Sequence, residues 1–334
     1  ILQNSDLIIS IGTRLSIPMM GYVEKEFARK SKIIYVDVDK TEYSKFDNKN
    51  KFLFYNDDAK NFINFLTKKF NSDKGIKIKD WLNYCKKTLN NFPHLEQPTH
   101  RDTKGYINSY KFIHKLSNIL KKNACIVTDM GTALLSGHQK INIKKGQSIM
   151  TSTGLGEMGY GLPGAIGASL GLNKKEVICL NCDGGIMMNL QELQTIDEYN
   201  LPIKTFIFNN DGYLMIKHTQ KNLFKGNYVA VNKKTNISCP SLKKLANAFN
   251  MKYYLIKNWS DFRNKTKKIL LSKRPVICEV LMNPEQYFHP KLGTAINNQG
   301  KIISPPLEDL SPLINRKKLK KNMIIPIHKK SQEI

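Results

Sequence analysis

Apolar and polar positions alternate in blocks from the beginning of the chain. Residues 6–11 and 33–39 have the continuous apolar character of strands, whereas residues 21–30 show helical spacing. The pair Asp57-Asp58 then supplies the chemistry of a helix N-cap before an amphipathic stretch over residues 62–70. Strands separated by helical stretches pair in parallel through crossover helices, so this part of the chain is expected to be α/β.

The same alternation is longer and more regular between residues 106 and 283. It predicts, in order, helix 108–120, strand 124–128, helix 161–170, strand 176–181, helix 187–199, strand 203–208, helix 241–249 and strand 276–281. Four parallel strands joined by crossover helices form a doubly wound sheet, whose ligands bind at the carboxyl ends of the strands. The chemistry of this chain is therefore expected after those strand ends.

The length of 334 residues is enough for two domains, at roughly 150 residues per domain. A polar stretch with the breakers Pro93 and Pro98 separates the two α/β patterns. The first pattern begins almost at Ile1, which is not Met, and this favours a chain that starts inside a domain. The predicted division is part of a second Rossmann-like α/β domain at 1–70, a linker at 71–105, the doubly wound domain at 106–314 and a basic carboxyl-terminal tail at 315–334.

The composition is strongly basic, with Lys+Arg 53 against Asp+Glu 27 and a formal net charge of +26. Most of the basic residues are scattered pairs such as Lys86-Lys87, which is typical of a solvated surface. One segment of the tail is denser, but it lacks the interleaved aromatic residues of a stacking platform, so nucleic acid is not an expected partner. Its basic residues are Arg316, Lys317, Lys318, Lys320 and Lys321.

The six cysteines and seven histidines show no metal-ligand rhythm, so the sequence supports neither a zinc site nor a disulfide framework. A reducing, cytoplasmic compartment is the expected location. No apolar run approaches the roughly 20 residues that cross a bilayer, so a membrane is not an expected partner either. The hydrophobic fraction of 41% supports packed cores and argues against a disordered chain.

Residues 154–159 (Gly-Leu-Gly-Glu-Met-Gly) form a G-x-G-x-x-G sequence, and Asp183 lies 24 residues beyond Gly159. Taken alone, this spacing is typical of a dinucleotide site with its ribose-binding acid. The residues before Gly154 make a poor strand, however, and Asp183 runs into two glycines. An NAD-dependent oxidoreductase remains an alternative on this motif.

A second motif joins two predicted strand ends. Asp183 follows strand 176–181, and Asn210 follows strand 203–208, so the two residues are 27 positions apart. A strand and a crossover helix use about that length, so both side chains are expected at neighbouring strand ends. One carboxylate and one carboxamide suit Mg²⁺, and the glycines at 184 and 185 would let backbone N–H groups approach a diphosphate. The alternative is a pair of unrelated turns.

The segment from Asp183-Gly-Gly to Asn209-Asn210 resembles the signature of thiamine diphosphate-dependent enzymes. The run 186–193 (Ile-Met-Met-Asn-Leu-Gln-Glu-Leu) resembles the acetolactate synthase branch of that family, as does the segment 153–163. The resemblance covers most of residues 1–314 and implies the thiamine diphosphate-binding fold, with Mg²⁺ held by Asp183, Asn210 and the carbonyl of Gly212. The cofactor-binding residues that it implies are Gly131, Thr132, Gly156, Met158, Asp183, Gly184, Gly185, Asn210, Gly212, Tyr213 and Leu214.

The resemblance assigns further roles and shows two departures. Met158 matches the bulky apolar residue that supports the bent cofactor; without the motif, a methionine there would be interpreted as core. Cys182 stands where the family usually has Gly, and Thr219 stands where acetohydroxyacid synthases commonly have Trp, so a different substrate channel is expected. FAD is a further cofactor that the branch can hold, in the domain to which residues 1–48 are similar.

The expected function is therefore a thiamine diphosphate- and Mg²⁺-dependent decarboxylation or carboligation of a small 2-oxo acid such as pyruvate, in a homodimer or homotetramer. The glutamate that the family uses to activate the cofactor belongs to an amino-terminal domain that is not in this sequence, so no catalytic residue is assigned. The chain alone is expected to be inactive. The alternatives are the NAD-dependent oxidoreductase and a non-catalytic cofactor-binding subunit that needs a partner.

Overall fold

The computed structural model describes residues 1–70, 78–92 and 100–334. They belong to two compact units, one formed by residues 1–94 together with 289–334 and the other by residues 95–288. Within these ranges, no helix combines the length and the apolar character that crossing a membrane requires.

Strands and helices alternate through most of the chain. The strands are β1 (Leu7–Ile11), β2 (Lys32–Asp37), β3 (Phe52–Asn56), β4 (Cys125–Thr128), β5 (Ser148–Met150), β6 (Val177–Cys182), β7 (Ile203–Asn209), β8 (Lys252–Ile256), β9 (Val276–Leu281), β10 (Ala295–Ile296) and β11 (Ile302–Ile303). The α-helices are α1 (Ile17–Met20), α2 (Ala59–Lys69), α3 (Lys79–Asn91), α4 (Ser109–Ile119), α5 (Thr132–Lys140), α6 (Gly161–Gly171), α7 (Asp183–Ile186), α8 (Glu192–Glu198), α9 (Leu214–Leu223), α10 (Leu242–Ala248), α11 (Trp259–Leu271), α12 (Arg316–Asn322) and α13 (Lys329–Gln332).

The first unit contains a three-stranded parallel sheet in the order β1-β2-β3. Aromatic side chains dominate the core on one face of this sheet, where the rings of Phe46 and Phe52 stack with their centroids 4.0 Å apart. Asp58 caps α2 by accepting the backbone N–H of Lys60, as its position before the amphipathic stretch predicts.

The helix predicted at 21–30 does not form. Helix α1 ends at Gly21, whose φ of 89° lies in the left-handed region, and only the single 3₁₀ turn Glu24–Glu26 follows. Phe27 and Ala28 are buried in the aromatic core, and Ala28 adopts a φ of 41°. Burial of these two adjacent residues overrides the helical spacing, because a continuous helix would turn them to different faces.

Residues 289–334 cluster with the first unit, whereas the sequence-based division places 289–314 with the doubly wound domain. Leu307 packs against the aromatic core, and Glu308 forms an ion pair of 2.6 Å with Arg29. The predicted tail contains α12, where Arg316 makes two hydrogen bonds with the buried carboxylate of Asp309. The contacts of Leu307 and Glu308 join residues hundreds of positions apart, and a pattern of hydrophobic residues along the chain cannot predict such contacts.

Helix α3 falls within the predicted linker, yet it also belongs to the first unit. The hydroxyl of Tyr84 donates to the carbonyl of Asn322 at 2.9 Å. The rest of the predicted linker includes 71–77 and 93–99, which lie outside the described residues.

The second unit confirms the doubly wound prediction: its six strands are all parallel, in the order β5-β4-β6-β7-β9-β8. Helices α4, α5, α9 and α11 cover one face, and α6, α8 and α10 cover the other. The sequence predicted β4, β6, β7 and β9 but not the two edge strands. Edge strand β5 is only three residues long, and β8 is only partly buried, so neither has the apolar run of a central strand.

The helix predicted at 187–199 is shorter than expected. The structure has the single-turn helix α7 directly after β6, then irregular turns, and then α8 from Glu192 to Glu198. In the irregular part, the side chain of Asn189 donates to the carbonyl of Gly159 at 3.1 Å. This contact ties the segment to a neighbouring turn and replaces a first helical turn.

Cys179 and Cys182 have the spacing C-x-x-C on β6, but their side chains lie in the cores on opposite faces of the sheet. Side chains three positions apart on a strand point in opposite directions, so these two sulphur atoms cannot meet. All six cysteines of the chain are free thiols.

Candidate functional site at the carboxyl ends of three strands

Three polar residues directly follow the central strands of the six-stranded sheet. Asp129 comes after β4, Asp183 after β6 and Asn210 after β7. Strand β6 pairs with β4 on one side and β7 on the other, and Cys182 lies opposite Phe208 in the register. Parallel pairing therefore brings all three strand ends to one edge of the sheet, where α/β proteins bind ligands.

The carboxylate of Asp183 is almost fully buried, with 1% of the residue exposed. Its Oδ2 accepts the backbone N–H groups of Asn210 at 3.1 Å and Gly212 at 2.8 Å, and its Oδ1 accepts that of Gly184 at 3.0 Å. Burial raises the pKa of Asp183 to about 6, although these N–H groups oppose the shift. A cation beside the carboxylate would restore the charged form.

The side chain of Asn210 is also buried, with 5% of the residue exposed. Its Oδ1 atom has no hydrogen-bond partner in the part of the chain that the structure describes. A buried acceptor without a donor costs roughly 1–3 kcal/mol, so its presence requires an explanation. A cation next to Asp183 would give this oxygen a partner, and hard oxygen ligands suit Mg²⁺.

This donor set fits a metal that a substrate or cofactor helps to hold. Across the described ranges, no group of three or more His, Cys, Asp or Glu side chains is arranged to hold a metal ion. One carboxylate, one carboxamide and a backbone carbonyl leave several coordination positions open. Mg²⁺ commonly fills such positions with phosphate oxygens and water.

The glycines of the site are required by packing. A Cβ atom on Gly184 would lie 2.7 Å from the ring of Tyr213, and one on Gly185 would lie 3.0 Å from Oδ1 of Asn181. Gly212 has a φ of 126°, and a Cβ atom there would lie 2.2 Å from the carbonyl oxygen of Val231. Neighbouring protein atoms thus fill the space at all three glycines, so the turns after β6 and β7 pack this closely only because these positions lack side chains.

Gly131 and Thr132 begin helix α5, after the end of β4. Gly131 has a φ of 69°, and Thr132 is buried. The thiol of Cys182 connects this turn to β6, since its Sγ accepts the N–H of Ala133 at 3.4 Å and donates to the carbonyl of Met130 at 3.2 Å. The side chain that departs from the family pattern therefore occupies the space behind Gly131 and links two parts of the site.

Met158 lies in the turn between β5 and α6. It is 39% exposed, and the nearby Leu155 is 88% exposed, so Met158 does not serve as core filler. Gly156, two residues earlier, has a φ of 71°. The segment presents an apolar side chain on the surface of the unit, which is the placement that a ligand-supporting role needs.

The two remaining predicted residues begin helix α9. The backbone N–H of Tyr213 donates to the carbonyl of Val231 at 2.8 Å, and the Tyr213 ring covers Gly184. The side chain of Leu214 is buried in the core between the sheet and its helices, so only its backbone faces the site. Cys239 is a neighbour that the sequence did not indicate; burial, with the charges of Asp183 and Asp211, raises the pKa of its thiol to about 12.

Asp129 is the main residue of this edge that the sequence analysis missed. It is fully buried, and its carboxylate accepts the backbone N–H groups of Gly159 at 3.0 and 3.1 Å and of Gly161 at 3.2 Å. Burial raises its pKa. The signal was available, since Asp129 follows an apolar strand as Asp183 does.

The contacts of Asp129 also bear on the G-x-G-x-x-G sequence. The N–H of Gly159 points to Asp129, and the N–H of Gly156 donates to the carbonyl of Ser152 at 2.9 Å. A dinucleotide fingerprint needs such N–H groups to face a pyrophosphate. Here they are used within the protein, which argues against the NAD alternative.

Comparisons with known proteins agree with this geometry. Residues 129–280 match the family described as thiamine pyrophosphate enzyme, C-terminal TPP binding domain. The chain is 30% identical over 298 residues to the acetolactate synthase large subunit of Cyanidium caldarium, covering 88% of this chain and 49% of the relative. It is 31% identical over 299 residues to the probable acetolactate synthase large subunit of Methanococcus aeolicus, covering 85% of this chain and 48% of the relative.

Among solved structures, the chain is similar to the thiamine diphosphate-dependent 4-hydroxybenzoylformate decarboxylase of Rhodococcus jostii RHA1, with a TM-score of 0.64. The two are 18% identical, and the match covers 84% of this chain and 50% of that one. At this identity, the likeness concerns the fold alone. The chain spans about half the length of the curated relatives that it matches.

Proposed function

This chain carries the C-terminal cofactor-binding domain of the thiamine diphosphate-dependent enzymes, and on that premise we propose that its site binds Mg²⁺ and the diphosphate of thiamine diphosphate. The observation that carries the proposal is the unpartnered Oδ1 of Asn210 beside the buried carboxylate of Asp183. These two oxygens, with the carbonyl of Gly212, would hold the ion. The ion would hold the diphosphate.

The other residues would surround the cofactor. Gly184 and Gly185 directly follow Asp183 in the single-turn helix α7, and the diphosphate would lie beside this turn. Gly131 and Thr132 would line the cofactor from the end of β4. Met158 would support it from the exposed turn before α6, where its side chain is accessible.

The reaction that we propose is decarboxylation or carboligation of a small 2-oxo acid such as pyruvate, of the acetolactate synthase type. Bound thiamine diphosphate would supply a nucleophilic carbon for the carbonyl group and a cationic thiazolium ring that takes up the electron pair left when CO₂ departs. The residues of this chain would bind and orient the cofactor. Asp183 and Asn210 would hold the diphosphate end through the metal ion, and Met158 would support the rings.

Turnover requires a group that activates the cofactor ring, and we assign that role to a glutamate outside these 334 residues. It would come from a further domain, either in a longer chain or in a partner subunit of a homodimer or homotetramer. The share of the relatives that this chain covers, about half, supports this view. The chain alone would bind the cofactor without catalysis.

Isothermal titration calorimetry tests the binding site directly. The 334-residue chain is titrated with thiamine diphosphate in Mg²⁺ and again with excess chelator. We expect binding only in Mg²⁺, because the metal connects the diphosphate to the protein. Equal affinity under both conditions would contradict the metal bridge, and no binding under either would contradict the function.

FAD is a second cofactor to test, since the parallel sheet β1-β2-β3 is of the kind that binds nucleotides at its strand ends. The test is to purify the chain in excess FAD, pass it through gel filtration and measure whether flavin absorbance elutes with the protein. Loss of all the flavin would assign this sheet to a structural role without that ligand.

A further inference from the structure

The carboxylate of Asp129 lies at a junction between two parts of the proposed site. It follows β4 and is fully buried. Its Oδ1 accepts the N–H groups of Met130 and Gly159, while its Oδ2 accepts those of Gly159 and Gly161. The turn that it holds comes directly after Met158.

The space around this carboxylate fits it closely. A Cβ atom on Gly161 would lie 3.0 Å from Cβ of Asp129, and one on Gly185 would lie 3.2 Å from its Cγ. Gly185 belongs to the turn that follows Asp183. Asp129 therefore contacts both the segment that carries Met158 and the segment proposed to hold the diphosphate.

We propose that Asp129 is a positioning residue, which sets the distance between Met158 and the turn at Asp183 to Gly185. This inference depends on the proposed function, because Met158 and that turn would contact opposite ends of the same cofactor. Asp129 itself would not touch it. The backbone N–H groups of Gly159 and Gly161 donate to its two oxygens, and these hydrogen bonds give the turn a single position.

The arrangement requires two acceptor oxygens. No cationic side chain forms an ion pair with Asp129 in the residues that the structure describes, so backbone N–H groups alone stabilise its charge. Replacement by Asn retains the shape but places an amide donor against at least one of these N–H groups. Asp129→Asn should therefore release the turn at Gly159 and Gly161 while leaving the volume filled.

Two variants and two ligands separate positioning from general damage. Asp129→Asn and, as its counterpart, Asp183→Asn are made in the full 334-residue chain. Each is titrated with thiamine diphosphate and with inorganic pyrophosphate, both in Mg²⁺. Pyrophosphate probes only the metal and diphosphate contacts, whereas the whole cofactor also reaches Met158.

We expect Asp129→Asn to weaken thiamine diphosphate binding by about tenfold and to leave pyrophosphate binding within about twofold of the unmodified chain. Asp183→Asn should weaken both ligands alike. Met158→Ala should reproduce the loss of Asp129→Asn, and the double variant should lose little more than either single variant, since both changes act through one contact.

Amide hydrogen exchange provides a readout without ligand. In Asp129→Asn, exchange at Gly159 and Gly161 should accelerate, while Asn210 and Gly212, which bond to Asp183, should keep their protection. If Asp129→Asn does not fold, Asp129→Ser replaces it in both titrations and in the exchange measurement. Serine is smaller than aspartate and keeps one acceptor oxygen.

Three results would overturn the inference. Equal losses of affinity for both ligands in Asp129→Asn would show that Asp129 contributes only to general stability. Unchanged affinity for both ligands would show that the position of the turn does not affect binding. Additive losses in the double variant would show that Asp129 and Met158 affect binding independently. If the unmodified chain binds neither ligand, the proposed function itself fails, and that outcome is distinct from the other three.

Discussion

The Oδ2 atom of Asp183 accepts the backbone N–H of Gly212 at 2.8 Å, although the two residues follow different strands and lie 29 positions apart. The same oxygen accepts the N–H of Asn210 at 3.1 Å. The aspartate thus shapes the turn after β7 before any ligand arrives. Its carboxylate accepts hydrogen bonds that stabilise the fold, and the same group would bind a metal ion.

Substitutions at Asp183 and Asn210 should separate binding from stability. Asp183→Ala should weaken Mg²⁺-dependent thiamine diphosphate binding by roughly 100-fold or more, because the ion loses its only charged protein ligand. Asn210→Ala should weaken it by roughly tenfold. Only Asp183→Ala should also lower the melting temperature of the ligand-free chain, since it removes acceptors for three N–H groups, whereas Oδ1 of Asn210 accepts none.

Calorimetry and thermal unfolding of both variants test this difference. A ligand-free Asn210→Ala chain that unfolds as early as Asp183→Ala would show that the amide oxygen has a structural partner after all. Asp211→Asn is a matched control, because that neighbouring side chain is exposed and Asn tolerates the φ of 65° found there.

Alanine at Gly184 and at Gly212 should both destabilise the chain, but only one should be rescued. Gly212→Ala overlaps backbone atoms of Val231 and strains a positive φ, at a cost of about 3 kcal/mol or more. Gly184→Ala meets only the ring of Tyr213, at a cost of about 1–3 kcal/mol.

The rescuing substitution is Tyr213→Leu, which removes the ring. It should restore most of the stability of Gly184→Ala and none of that of Gly212→Ala, as measured by urea unfolding of the double variants. Equal rescue of both would mean that the two glycines share one neighbour.

The stability of the chain should rise with pH above 8 through Lys204. This lysine is buried at the start of β7, where its Nζ donates to the carbonyls of Pro202 and Arg274 at 3.1 Å, and burial lowers its pKa to about 8. Between pH 8 and about 10.4 the unfolded chain keeps a proton that the folded chain has released, so the free energy of unfolding increases with pH.

The gain should reach about 3 kcal/mol at most over this interval. Lys204→Met should remove it, whereas Lys243→Met, a change at an exposed lysine on α10, should not. Urea unfolding at pH 7.5 and 9.5 measures the difference between the variants. Parallel pH profiles for the unmodified chain and Lys204→Met would contradict this assignment.

Turnover should appear only when the domain proposed to carry the activating glutamate is supplied. The 334-residue chain should bind thiamine diphosphate but release no CO₂ from pyruvate, and the cofactor bound to it should not exchange the hydrogen at C2 rapidly. A longer chain that includes the additional domain should do both. Rapid exchange with this chain alone would show that these residues suffice to activate the cofactor.

The sequence predicted the centre of the second sheet better than its edges. Central strands such as β6 and β7 are buried on both faces and contain apolar runs, at 177–180 and 206–208, so Asp183 and Asn210 stood out as polar residues after them. Edge strand β8, Lys252–Ile256, mixes polar and apolar positions and was missed. A parallel strand is easiest to predict from sequence when both of its faces are buried.

Other features depend on contacts that no local pattern contains. The hydrogen bond of 2.5 Å between Gln3 and Glu308 joins the two ends of the first unit, and it lies across the predicted domain boundaries. Asp129 was missed for a different reason: the glycines at 154–159 suggested a phosphate loop, whereas the N–H of Gly159 donates to the Asp129 carboxylate inside the protein.

The close packing around Asp129 also has an evolutionary consequence. Its carboxylate fits because positions 161 and 185 lack side chains, with would-be Cβ contacts of 3.0 and 3.2 Å. Asn181 lies still closer to both positions, with would-be Cβ contacts of 2.9 Å at Gly161 and 3.0 Å at Gly185, so a lineage that gains a methyl group at either glycine must change Asn181 as well as the aspartate. These four positions should therefore covary as a group among descendants of a common ancestor, independently of the substrate that each descendant uses.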